Sequence, residues 1–105
     1  MRHELRTWPD QFQAHWDGAL THTIRRYDRA FAAGDTLLLR EYDHARPRHH
    51  INDRYTGRTL VATVTYVSAP ASFGLPDELC VMSIQVNART IAGDRRLPPS
   101  LPVTP

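Results

Sequence analysis

The sequence predicts an α+β domain: a small β-barrel of about five to six strands with an N-terminal helix. Three observations predict it. The chain has 105 residues, enough for one core and not for two. Trp8, Phe12 and Trp16 recur at helical spacing near the start. After them come short runs of alternating apolar and polar residues, broken by glycine, proline and aspartate corners.

The elements follow in order. Residues 3–6 read as a first strand. Thr7 then serves as N-cap of a helix with Pro9 in its first turn, and Gly18 ends that helix. The Trp8–Phe12–Trp16 stripe is its core face. Residues 20–26 form a strand with Thr21, Thr23 and Arg25 on one face and Leu20, His22 and Ile24 on the other. "DRAFAAGD" is a turn with its corner at Gly34 and Asp35, where a side-chain oxygen can bond the backbone. "TLLLREY", 36–42, is the next strand, and the polar stretch 43–57 is a long loop. In "RTLVATVTYV", 58–67, Leu60, Ala62, Val64 and Tyr66 share the packed face. "LCVMSIQVNA", 79–88, is the last strand, with Cys80 as a small core residue. The domain occupies residues 1–90, and 91–105 form a proline-rich tail.

Composition narrows the function classes. Hydrophobic residues make up 41% and charged residues 23%, as in an ordinary globular protein. No apolar run approaches the roughly 20 residues that span a bilayer, and the polar N-terminus does not read as a secretory signal. The expected location is the cytoplasm, with no membrane partner. A single cysteine excludes an internal disulfide. All thirteen basic side chains are arginine, which coding bias in a GC-rich genome explains. Arginine offers a planar fork suited to phosphate and to stacking on bases, and it cannot act as an amine nucleophile or base. A net charge of +2 permits nucleic acid without demanding it.

"HELRTWP", "DRAFAAGD", "LREY" and "YTGR" follow one another in an order that resembles an ASCH domain of the PUA-like superfamily, in particular a small bacterial and phage subgroup. The resemblance covers residues 3 to about 87. It implies a PUA-like β-barrel whose cleft takes RNA or a modified nucleobase. The family signature G-x-K-x-x-E-x-R is partly kept: Gly18 and Arg25 match, whereas Leu20 stands at the lysine position and Thr23 at the glutamate position. One ASCH branch comprises small amidohydrolases that deacetylate N4-acetylcytidine. That branch is similar in carrying a threonine where Thr23 stands, its proposed nucleophile, followed by Ile-Arg. Its activating lysine is missing here, and no residue matches its further glutamate.

The candidate catalytic residue is therefore Thr23, a hydroxyl that needs a neighbouring base. His22 points to the other face of a regular strand, so His15, Glu41 or Asp43 would have to be delivered by turns. The candidate ligand or nucleic-acid set is Thr21, Thr23, Arg25, Arg29, Tyr42, Arg54 and Tyr55, with Tyr42 and Tyr55 as cleft walls. The loop residues His44, His49, His50 and Asp53 match no metal spacing and stand among arginines, so neither metal nor cofactor is expected. The readings are an RNA- or nucleoside-binding module, an amidohydrolase or ribonuclease, and a protein-interaction module using tail residues 93–105. The missing lysine and glutamate weigh against an enzyme.

Overall fold

Five strands and one short helix make up the structure, a computed structural model that describes residues 1–45 and 54–91. β1 spans Arg2–Thr7, α1 Pro9–Trp16, β2 His22–Arg26, β3 Thr36–Tyr42, β4 Tyr55–Ser68 and β5 Leu79–Ile91. The sheet order is β1-β3-β4-β5-β2, with β1 parallel to β3 and the other pairs antiparallel. The sheet curls into a half-barrel, an α+β arrangement with β1 and β2 as its two edges. Helix α1 packs against β3 and β5. Phe12 enters the core with Leu5, Leu37, Leu39, Leu60, Ala62, Val64, Cys80, Met82 and Ile84.

Two bulges help bend the sheet. In the β4–β5 ladder, Thr65 on β4 and Asn87 on β5 have no opposite residue. An extra residue kinks a strand and increases its twist. It also reverses the alternation of faces. Beyond Thr65, Val67 packs on the core while Tyr66 is 64% exposed, which corrects its expected place beside Leu60, Ala62 and Val64.

The helix start also differs from expectation. Thr7 remains in β1, and Trp8 is the extended N-cap residue, with no side-chain cap bond and Pro9 at the first helical position. Trp8 precedes the helix, so it does not share the buried face of Phe12 and is 44% exposed. Gly18 has φ +79° just past the helix, a conformation that favours glycine. Its neighbour β2 is shorter than expected, leaving Leu20 and Thr21 outside the strand. β4 begins at Tyr55, within the stretch expected to be loop, and β5 extends three residues beyond the expected 88. The calls on residues 46–53 of that loop, including His49, His50 and Asp53, and on tail residues 93–105 lie outside the described residues.

The four sequence motifs resolve into two polar clamps. Gly57, φ +95°, lies in an irregular stretch where residues 55–59 of β4 oppose 40–42 of β3. The irregularity brings Thr56 and Arg58 together on Glu41. Thr56 Oγ1 donates to Glu41 Oε1 at 2.6 Å, and Arg58 donates through Nε and Nη2 to the two carboxylate oxygens, each at 2.8 Å. Arg58 also lies 5.1 Å from the Phe12 ring centre and 4.9 Å from that of Trp16, joining α1 to the sheet. Asp35 forms the second clamp. It accepts from His3 Nε2 at 2.9 Å, from the Met1 amino group at 2.9 Å and from the Ala32 main-chain N–H at 3.0 Å. The edge of Phe31 meets the His3 ring at 4.7 Å.

The His3 hydrogen bond, followed by that of the Met1 amino group, holds the Asp35 carboxyl at about 2. A carboxylate whose folded pKa is depressed stabilises the fold above its unfolded value of 3.8, and that stabilisation is lost as pH falls through about 2. Asp35→Ala is expected to lower unfolding free energy by about 1–3 kcal/mol at pH 7 and to flatten the acid limb of the melting temperature. Urea titrations and thermal melts between these pH values check both; unchanged stability would remove the clamp from the account.

Candidate functional site

Strands β1 and β2 approach each other across the open side of the half-barrel without forming a ladder. Arg25 spans the gap with its side chain. Nη1 donates to the Arg6 carbonyl at 2.6 Å, Nη2 to Thr7 Oγ1 at 2.8 Å and Nε to Thr23 Oγ1 at 2.9 Å. The odd-numbered residues of β2 turn their main-chain groups to β5, as the Thr21 carbonyl to Ile84 N–H bond and the Tyr27 N–H to Glu78 carbonyl bond show. Alternation then points the main-chain groups of His22, Ile24 and Arg26 toward the seam.

An open cleft of about 490 Å³ lies along this seam. Its walls are Arg6, Thr7 and Trp8 from β1 and the helix start, Gln11 and His15 from α1, and Leu20 with His22–Arg25 from β2 and its approach. Among the described residues, no carboxylate lines it. Among the described residues, neither Arg6 nor Arg25 has a carboxylate partner. Burial pushes the Arg25 pKa below the usual guanidinium value. Arginine still carries its charge, because its ordinary value is so high. The cleft is therefore a partly desolvated, positively charged hollow.

His15 adds an acceptor to that hollow. Its side chain is 1% exposed, and Nδ1 lies 2.9 Å from the Leu20 carbonyl. A carbonyl can only accept, so Nδ1 carries the proton and Nε2 of the neutral ring carries a lone pair. Burial lowers the His15 pKa; the Leu20 bond opposes this, and Arg25 and His22 reinforce it. The imidazole is neutral at pH 7.

The sequence-derived candidates divide. Thr23 and Arg25 line the cleft. Thr21 is exposed outside it. Arg29 is on the outer turn, 3.2 Å from Asp28 and over the Phe31 ring. Tyr42 and Tyr55 meet edge to face at 5.0 Å in a neighbouring cluster. There Arg6 lies over Tyr42 and donates to the Tyr55 hydroxyl, and Arg40 sits 3.8 Å from the Tyr55 ring centre. Arg54 is half-buried beside that cluster's strand, where its carbonyl accepts from Asp43 N–H. Of the three possible bases for Thr23, His15 enters the cleft, Glu41 is clamped by Arg58 and Thr56, and Asp43 is not in the lining. The cleft adds Arg6, Trp8, Gln11 and His22. The signal for two of these was "RTWP" at a strand-to-helix junction, where consecutive side chains can face one hollow. Among the described residues no group of three or more His, Cys, Asp or Glu could hold a metal, and no helix is long and apolar enough to cross a membrane.

The fold and site define a small half-barrel domain with an arginine-walled cleft between its edge strands. Residues 2–84 match the family described as a domain of unknown function, DUF3850, and the chain belongs to that family. No curated protein matches it.

The Arg25 fork takes the place of a missing strand ladder, so Arg25→Ala is expected to cost about 1–3 kcal/mol of unfolding free energy. Arg25→Lys should recover only part of it, since one ammonium cannot reproduce the planar fork. Urea unfolding of the three proteins measures this, and identical midpoints would exclude a bridging role.

Proposed function

We propose that this protein is a cytoplasmic RNA- or modified-nucleoside-binding module of the ASCH type within the PUA-like superfamily. The observation that carries this reading is the seam cleft, which has two arginines without carboxylate partners among the described residues and no acidic residue in its wall. An anionic ligand would restore the neutrality that burial of Arg25 disturbs. Arg6 is the more adaptable of the two, because among the described residues its exposed guanidinium makes one side-chain hydrogen bond, through Nε to the Tyr55 hydroxyl, and lies over the Tyr42 ring. Trp8, in the cleft wall, is 44% exposed with its ring against His44 and Tyr42, and aromatic side chains bind unpaired bases by stacking.

The same cleft favours one secondary reading, a hydrolase acting on N4-acetylcytidine-like nucleosides or on RNA. Thr23 Oγ1 accepts from Arg25, and a neutral His15 stands in the same hollow as a possible base. Deacetylation or RNA cleavage that disappears in Thr23→Val, with ligand binding retained, would establish it.

Binding to a single-stranded RNA oligomer, followed by fluorescence anisotropy, tests the first reading. With two phosphates neutralised, affinity should fall roughly sevenfold between about 50 and 200 mM salt. Arg6→Ala should weaken binding and about halve the logarithmic salt slope. Absence of binding, or a slope unaffected by Arg6, would reject the assigned cleft.

A further inference from the structure

We propose that the cleft selects nucleotides whose base carries an amino hydrogen-bond donor at pyrimidine C4 or purine C6, cytosine or adenine, over those carrying a keto acceptor there, through the Nε2 lone pair of His15. This rests on the nucleotide-binding reading and adds a specificity to it.

The most buried polar residue of the wall is the one that chooses. His15 is almost wholly buried, yet it lines the hollow. Its Nδ1 proton is committed to the Leu20 carbonyl, and no described residue donates to its Nε2. An acceptor that lacks a donor in a partly desolvated wall gains a hydrogen bond when a ligand N–H meets it. The Leu20 carbonyl also locks the tautomer: moving the proton to Nε2 would leave two acceptors facing each other 2.9 Å apart. The ring is thereby held with Nε2 as its acceptor, in a residue that lines the cleft, rather than being free to serve as either partner.

The other walls suit the rest of such a ligand. Arg25 and Arg6 supply charge for a phosphate, and the half-exposed Trp8 supplies a stacking face. A hollow of about 490 Å³ falls within the usual range for small-ligand sites, roughly 300–1,000 Å³. A keto oxygen presented to Nε2 would set two lone pairs against each other. The amino group of adenine or cytosine meets the same nitrogen as a donor.

The test uses pairs of nearly identical shape. Cytidine and uridine 5′-monophosphates, then adenosine and inosine 5′-monophosphates, are titrated into the full chain by calorimetry, with the single-stranded RNA oligomer as a parallel probe. The amino member of each pair should bind roughly 10- to 100-fold more tightly. His15→Asn keeps a donor for the Leu20 carbonyl through Nδ2 and, being shorter, leaves no acceptor at the position of Nε2, and it should bring each pair within about twofold. Equal affinities in the unaltered chain, or a keto preference, overturn the selection while leaving nucleotide binding intact. A preference that survives in His15→Asn overturns the assignment to His15. Failure of all four nucleotides with retained RNA binding also overturns it, and failure of every probe removes the nucleotide reading with it.

Discussion

One side chain holds the two free edges of this sheet together. A five-stranded sheet of this length curls far enough to bring β1 and β2 near each other but not into register, so no ladder closes the barrel. Arg25 bridges the gap with three hydrogen bonds, two of them reaching β1. A backbone ladder would have filled the seam and consumed its polar groups. A guanidinium fork spans it while leaving space alongside, and that space is the cleft. The opening that makes a site possible and the contact that stabilises the edges are thus the same feature.

The electrostatics follow from this arrangement. Arg25 is bonded to a carbonyl and two hydroxyls, all of them neutral. Neutral acceptors satisfy its N–H groups without cancelling its charge. Elsewhere the fold handles its buried polar groups differently. Glu41 is clamped by Arg58, and Asp35 by His3 and the Met1 amino group. The chain pairs opposite charges where they serve the frame, and it leaves a cation without a carboxylate where a hollow opens. This contrast within one small domain separates carboxylate-paired arginine from cleft-lining arginine more clearly than exposure does.

The motif resemblance takes on physical content here as well. "LREY" and "YTGR" are far apart in sequence but meet in the Glu41 clamp, with Gly57 allowing the backbone irregularity that aims Thr56 and Arg58 at one carboxylate. "DRAFAAGD" and the start of "HELRTWP" meet at Asp35 and His3, with Phe31 against the imidazole. Much of what makes the pattern distinctive therefore maintains the half-barrel. Only "RTWP" and the β2 segment turn toward the cleft.

Local chemistry was enough to read the elements themselves. Alternation marked most of β4, Gly18 marked the helix end, and the two faces of β2 were legible because side chains on a strand alternate with period two: Thr23 is buried and Ile24 exposed. Thr23 and Arg25 could thus be grouped on one face from sequence alone. What the sequence could not reveal was the other wall. Trp8 was assigned to the core because a helical stripe does not show that the helix begins one residue later. Tyr66 was assigned inward because a one-residue bulge leaves no local trace, yet inverts every face beyond it. His15 and Arg6 became cleft residues only when the curled sheet brought β1, α1 and β2 together. Strand and helix identity is encoded in neighbours a few residues apart, whereas a cleft between opposite edges of a sheet is set by the accumulated twist and register of every strand between them.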